Sequence, residues 1–132
     1  MGGVEALVGV SRDRDFGLTL ALGPGGVDAD LSEDRDVVLR VLPLRVGDAA
    51  AMVSESPRLA RLLSGLRGHP PADIEALVAC IEALARFAWA ERECIDEIDL
   101  NPVLVLGEGD GCVAVDALIV TWKPRGIAGG EP

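Results

Sequence analysis

The strongest constraint on this chain is a change of hydrophobic period along its length. Three early segments carry apolar side chains at alternate positions: VEALVGVS (residues 4–11), GLTLALG (17–23) and DVVLRVLPL (36–44). Alternation is the signature of a strand with one buried face. After Gly47 the spacing switches to three and four. GDAAAMVSES (47–56) holds helix formers behind Asp48, and PRLARLLSGL (57–66) starts on Pro57 with Leu59, Leu62, Leu63 and Leu66 on one side. ADIEALVACIEALARFAWAERE (72–93) carries Ile74, Leu77, Val78, Ile81, Leu84, Ala85 and Ala88 as a helical stripe, with Asp73 placed to support its first turn. Alternation then returns over 95–106 and 112–120, around a glycine turn at 107–111. Three strands, three helices and two strands, without a regular strand–helix alternation, predict an α+β layer: a mostly antiparallel sheet with helices packed on one face.

Bulk composition narrows the function. Aromatic residues are only 3% of the chain, so the core must be aliphatic, and 49% apolar content is enough to build one in 132 residues. The formal net charge is −10 and the only lysine is Lys123. A nucleic-acid binder needs clustered bases to displace phosphate counterions, so nucleic acid is not an expected partner. Cys80, Cys94 and Cys112 show neither a disulfide framework nor zinc spacing, which predicts reduced thiols and a cytoplasmic setting. The apolar runs are too short and interrupted to span a bilayer, so no membrane association is expected. The glycine- and proline-rich tail over 123–132 is expected to fray from a domain covering 1–122.

The segment EIDLNPVLVL (97–106) is chemically unusual. Glu97, Asp99 and Asn101 lie two apart, so they share a strand face, while Ile98, Leu100 and Val103 are expected in the core. Pro102 cannot donate a ladder hydrogen bond, which predicts an edge strand or a bulge. Asp116 on the next strand is within hairpin reach of Asn101. Two carboxylates and an amide oxygen form a hard donor set suited to magnesium. An amphipathic strand with one wet face is the other reading that the spacing allows.

GVEALVGVSRDRDFGLTLALGPGG, VVLRVLPL, LLSGLRG, EIDLNPVLVL and VAVDAL follow one another in an order that resembles a known family. They look like the carboxyl-terminal part of the ATP-grasp domain of NDP-forming (ADP-forming) acyl-CoA synthetases, which are related to the succinyl-CoA synthetase β-subunit. The resemblance runs from about Gly3 to Val120. It implies that Asn101 and Asp116 hold magnesium, with Asp99 in support where many relatives carry Glu. It implies that Glu5 contacts the nucleotide, ATP or ADP, and that Gly25 and Gly26 lie near the active site. The GPGG run reads as an anion nest or, more often for such a run, as a plain turn. Arg40 is out of phase with Val37, Leu39 and Val41, and it either faces the triphosphate or pairs with an acid. His69 sits in a linker, and the family's phosphorylated histidine belongs to the CoA-binding part.

The resemblance also implies partners. The lysine-bearing ATP-grasp lobe and the CoA-binding and ligase domains have no counterpart in these residues, so the chain is expected to be inactive alone. The alternative expectation is a non-catalytic module that associates with a partner chain, or with a second copy, through surface the other lobe would cover.

Overall fold

A computed structural model describes residues 3–26, 36–65, 68 and 70–122. His69, the acidic loop through Asp34 and the tail over 123–132 lie outside the described residues. The elements are β1 (Val4–Asp13), β2 (Gly17–Pro24), β3 (Val38–Val41), α1 (Asp48–Glu55), α2 (Pro57–Leu63), α3 (Ile74–Ala90), β4 (Ile95–Val105), β5 (Cys112–Ala114) and β6 (Ala117–Thr121). The strands form one six-stranded sheet in the order β3-β2-β1-β4-β5, with β6 pairing to β4 beyond β5, and every pairing is antiparallel.

One face of this sheet is buried. Ala6, Val8 and Val10 from β1 and Leu18, Leu20 and Leu22 from β2 alternate into the core. They meet Met52 and Val53 of α1, Leu59 and Leu63 of α2, and Leu77, Ile81, Ala85 and Ala88 of α3. Val78 and Leu84 pack at its margin, whereas Ile74 is exposed because it opens the helix ahead of the packed turns. The result is the expected α+β layer.

Local chemistry fixes the joints. Asp73 caps α3: its carboxylate accepts from the Ala76 N–H at 3.1 Å and from the Gly111 N–H at 2.8 Å, so one side chain ties the helix to the turn before β5. Pro57 occupies the first turn of α2, where a missing N–H costs nothing. Buried Ser56 donates its hydroxyl to the Asp36 carbonyl at 2.6 Å, fastening the approach to β3 onto the α1–α2 junction.

One expectation needs correction, and β3 decides two further points. The segment over 112–120 is two strands, because the ladder that both make with β4 breaks at Val115 and Asp116. Val37, Leu39 and Val41 do share a face, but it is the face without helices, where they are 47%, 59% and 48% exposed. Arg40 points to the helix side instead, with its guanidinium 2.7 Å from Glu55 and 4.0 Å from Asp48 on α1. Of its two readings, pairing with acids is the one realised.

Candidate functional site

β4 changes phase in its middle. Ala6 pairs with Val103 and Val8 with Leu100, so the single residue Leu7 on β1 faces both Asn101 and Pro102. This is a β-bulge, and it lets a proline sit in an interior strand without leaving a ladder position unpaired. It also explains the burial pattern: Ile98 and Leu100 turn inward before the bulge, and Val103 and Val105 after it.

The same point is where β5 gives way to β6. Leu100 pairs with Ala117 and Val103 with Ala114, which leaves Asn101 and Pro102 opposite Asp116 and Val115. The Asn101 N–H donates to the Asp116 carbonyl at 3.1 Å, and the Val115 N–H donates to the Pro102 carbonyl at 2.9 Å. Asn101 and Asp116 are therefore cross-strand neighbours. Both are exposed; Asn101 follows inward-facing Leu100 on β4, which turns it to the face away from the helices, and Asp116 lies in the break between β5 and β6. Asp99 is two residues along the same face, paired with Leu118 on one side and Gly9 on the other. Its Oδ1 lies 3.7 Å from where a Cβ on Gly9 would be.

Glu5 occupies the same face of β1, beyond Leu7 and opposite Leu104. The Gly25 N–H donates to the Glu5 carbonyl at 2.9 Å. Gly26 follows with φ +82°, and a Cβ there would stand 3.0 Å from Glu5 Oε1. Only glycine is comfortable at that angle, and the missing side chain leaves room for the carboxylate. Glu5, Gly25 and Gly26 thus form one group, while Asn101, Asp116 and Asp99 form another. From Glu5 to Gly9 is four residues of strand, about 13 Å, and Leu7 lies between them. The sequence reading left out Leu7, whose position depends on the bulge. Gly9 did carry a signal, since a glycine inside an alternating strand marks a close approach.

Among the described residues, no three His, Cys, Asp or Glu side chains gather into a metal cluster. A cation on this face would therefore draw on few carboxylates, the Asn101 amide oxygen, and ligands from outside the chain. That is how magnesium is commonly held with phosphates. The donors are all hard oxygens, so their chemistry fits the ion.

Known proteins share this sequence and this fold. An ATP-grasp domain profile matches residues 1–121. The chain is 37% identical over 118 residues to the acetate–CoA ligase [ADP-forming] II subunit beta of Pyrococcus furiosus, covering 89% of this chain and 49% of that one. It is 36% identical over 118 residues to the 4-hydroxybutyrate–CoA ligase [ADP-forming] of Nitrosopumilus maritimus, covering 89% of this chain and 16% of that protein. A crystal structure from Pyrococcus horikoshii superposes with a TM-score of 0.84 at 32% identity, over 94% of this chain and 51% of that one. An acetyl-coenzyme A synthetase of Ca. Korarchaeum cryptofilum, solved with coenzyme A and Mg-AMPPCP, superposes with a TM-score of 0.80 at 41% identity, over 92% of this chain and 55% of that one. The chain therefore spans about half the length of the subunit and the solved chains it matches, and less of the longer ligase. By sequence and by fold, this chain belongs to the ATP-grasp domain family, and its relatives are subunits and domains of ADP-forming acyl-CoA ligases.

Proposed function

We propose that this chain supplies the magnesium- and nucleotide-binding face of an ADP-forming acyl-CoA ligase. The observation that supports the reading is the backbone contact that makes Asn101 and Asp116 neighbours beside the β4 bulge, both exposed. Asn101 and Asp116 would hold the ion, with Asp99 adding charge from one alternation away. Magnesium, when bound, would neutralise and orient phosphate oxygens. Glu5 would accept hydrogen bonds from the nucleotide's hydroxyls, with Gly25 and Gly26 bringing backbone close to it.

The parent reaction would be acyl-CoA + ADP + phosphate ⇌ carboxylate + CoA + ATP. Phosphoryl transfer requires positive groups around the transferring phosphate. This chain carries a net charge of −10, and Arg40 is engaged with Glu55 and Asp48 away from the open face. The basic groups must therefore come from a companion lobe, and the CoA chemistry from further domains or a subunit; alone, the chain is inert. Relatives acting on acetate and on 4-hydroxybutyrate match the same stretch at nearly equal identity. That supports a role in activation shared by these ligases, with the acid chosen elsewhere. Three free thiols fit a reducing, cytoplasmic setting, and no helix among the described residues is long and apolar enough to cross a membrane.

Calorimetry of the full chain with ATP, with and without magnesium, tests the reading. The expected result is magnesium-dependent binding that falls at least tenfold, equal to about 1.4 kcal/mol, in an Asn101→Ala, Asp116→Ala double variant with an unchanged unfolding midpoint. Equal affinity in that variant, or binding indifferent to magnesium, would overturn it. A second reading, an association module, is favoured by Val37, Leu39, Val41 and Leu118, each at least 47% exposed on the open face. A stable homodimer in sedimentation, with no ATP binding, would favour that reading over the first.

A further inference from the structure

Cys80 and Cys112 are far apart in sequence but share one contact. Cys112 opens β5, opposite Val105, and its Sγ donates to the Ala76 carbonyl at 3.5 Å. Ala76 is one helical turn before Cys80 on α3, so its carbonyl is also the one that the Cys80 N–H meets in regular helix. Cys112 Sγ therefore lies beside the turn of α3 that carries Cys80, and both thiols are half-buried and free. They pack against the core edge from two different layers, the helix and the sheet. Cys94, by contrast, is exposed.

We propose that Cys80 and Cys112 are a latent dithiol that closes into a disulfide when a low-molecular-weight disulfide serves as the oxidant. Cys80 Sγ loses its proton and attacks one sulfur of the oxidant, whose other sulfur leaves as a thiolate and takes up a proton. Cys112 Sγ, deprotonated in turn, attacks Cys80 Sγ and expels the second thiolate. Two electrons and two protons pass to the oxidant, which is released as two equivalents of its thiol. Cys80 attacks first because burial and the neighbouring Cys80 and Asp73 push the Cys112 thiol up to about 11, leaving it the poorer source of thiolate at neutral pH. Burial raises both thiols, so little thiolate forms at neutral pH and the pair reacts slowly relative to exposed Cys94.

The cross-link would join α3 to β5, the strand that runs on through Val115 into Asp116. Any effect on cation binding rests on the nucleotide reading above; the cross-link itself does not. The test uses the full chain carrying Cys94→Ser, incubated with oxidised glutathione at mildly alkaline pH. The expected product has an intact mass lower by two hydrogens, a Cys80–Cys112 linked peptide in an unreduced digest, and an unfolding midpoint raised by roughly 10 °C. Cys80→Ser and Cys112→Ser, each added to that background, should abolish the linked peptide and accumulate a glutathione adduct on the remaining thiol. Adducts on both cysteines without a cross-link would overturn the proposal. So would two intact thiols under conditions that consume Cys94 in the unsubstituted chain.

Discussion

The two faces of the sheet are made from the same strands and treated oppositely. On the helix side, Leu20 and Leu22 are fully buried. On the other side, Leu39 is 59% and Leu118 53% exposed, interleaved with Glu5, Gly9, Asp99 and Asn101. The first face holds the molecule together; the apolar area of the second is covered by nothing among the described residues. A face that combines uncovered leucines and valines with hard oxygen donors is built to be covered by something that also carries charge. A nucleotide beneath a second lobe meets both needs, which is why the open face and the proposed function support each other.

The contrast can be broken most directly by matched truncations. Leu20→Ala should cost about 2–5 kcal/mol, the sum of lost transfer energy and a cavity among Leu20's buried neighbours. Leu39→Ala should change stability by less than about 0.5 kcal/mol, since its side chain is already in water. Urea denaturation of both variants measures the difference. Equal costs would mean that the open face is covered in solution, by a second copy for instance, and sedimentation of the same samples would identify it.

Asp73→Ala comes next in size. It removes the α3 cap and leaves the Gly111 N–H without its carboxylate. A lost cap and a lost charge-assisted hydrogen bond together predict about 2 kcal/mol. Because the second bond fixes the turn before β5, hydrogen exchange should speed up at Gly111 and Cys112 more than in β1. Uniform acceleration would show that the cap acts on the whole domain and not on that joint.

Much of this layout was legible because hydrophobic period survives in the sequence wherever one face of an element is buried. The stripe of Leu77, Ile81, Ala85 and Ala88 identified α3, and Val8 against Gly9 identified the alternation of β1. Which face of β3 would be covered was not legible. Val37, Leu39 and Val41 show strict alternation, and alternation does not say whether the cover is this chain's helices or another molecule. The break between β5 and β6 was hidden for a related reason. VAVDALIV reads as one continuous strand, and the interruption at Val115 arises from the bulge on β4, a property of the partner strand. At the site, the sequence indicated that Pro102 needs an edge or a bulge; only the register of β1 against β4 decides for the bulge.

A smaller effect is expected from pH. Burial, with Cys80 and Asp73 nearby, raises the Cys112 thiol from its ordinary 9.0 to about 11. The folded protein then holds that proton more tightly than the unfolded chain does. The resulting stabilisation is complete below pH 9 and is lost as pH rises through 11. Cys112 is partly open to solvent, so screening should keep the loss under about 1 kcal/mol. Urea midpoints at pH 9 and pH 11 should therefore fall more in the native sequence than in Cys112→Ala, once compared with the common loss from other groups. A parallel fall in both would remove Cys112 as the cause.

The smallest expected effect is at Arg40, and it separates the two faces most sharply. Its guanidinium lies 2.7 Å from Glu55 and 4.0 Å from Asp48, and those two acids hold it in the charged form. A partly exposed pair of this kind contributes about 0.5 kcal/mol and weakens with salt. Arg40→Met keeps most of the aliphatic stem while removing the charge, so stability should fall by about that amount, and by less at high salt. Because the side chain leaves β3 on the helix side, magnesium-dependent ATP binding should not change at all. A large loss of nucleotide affinity in Arg40→Met, with stability intact, would mean that the guanidinium reaches phosphate on the opposite face. The sheet would then no longer divide cleanly into a packing face and a ligand face.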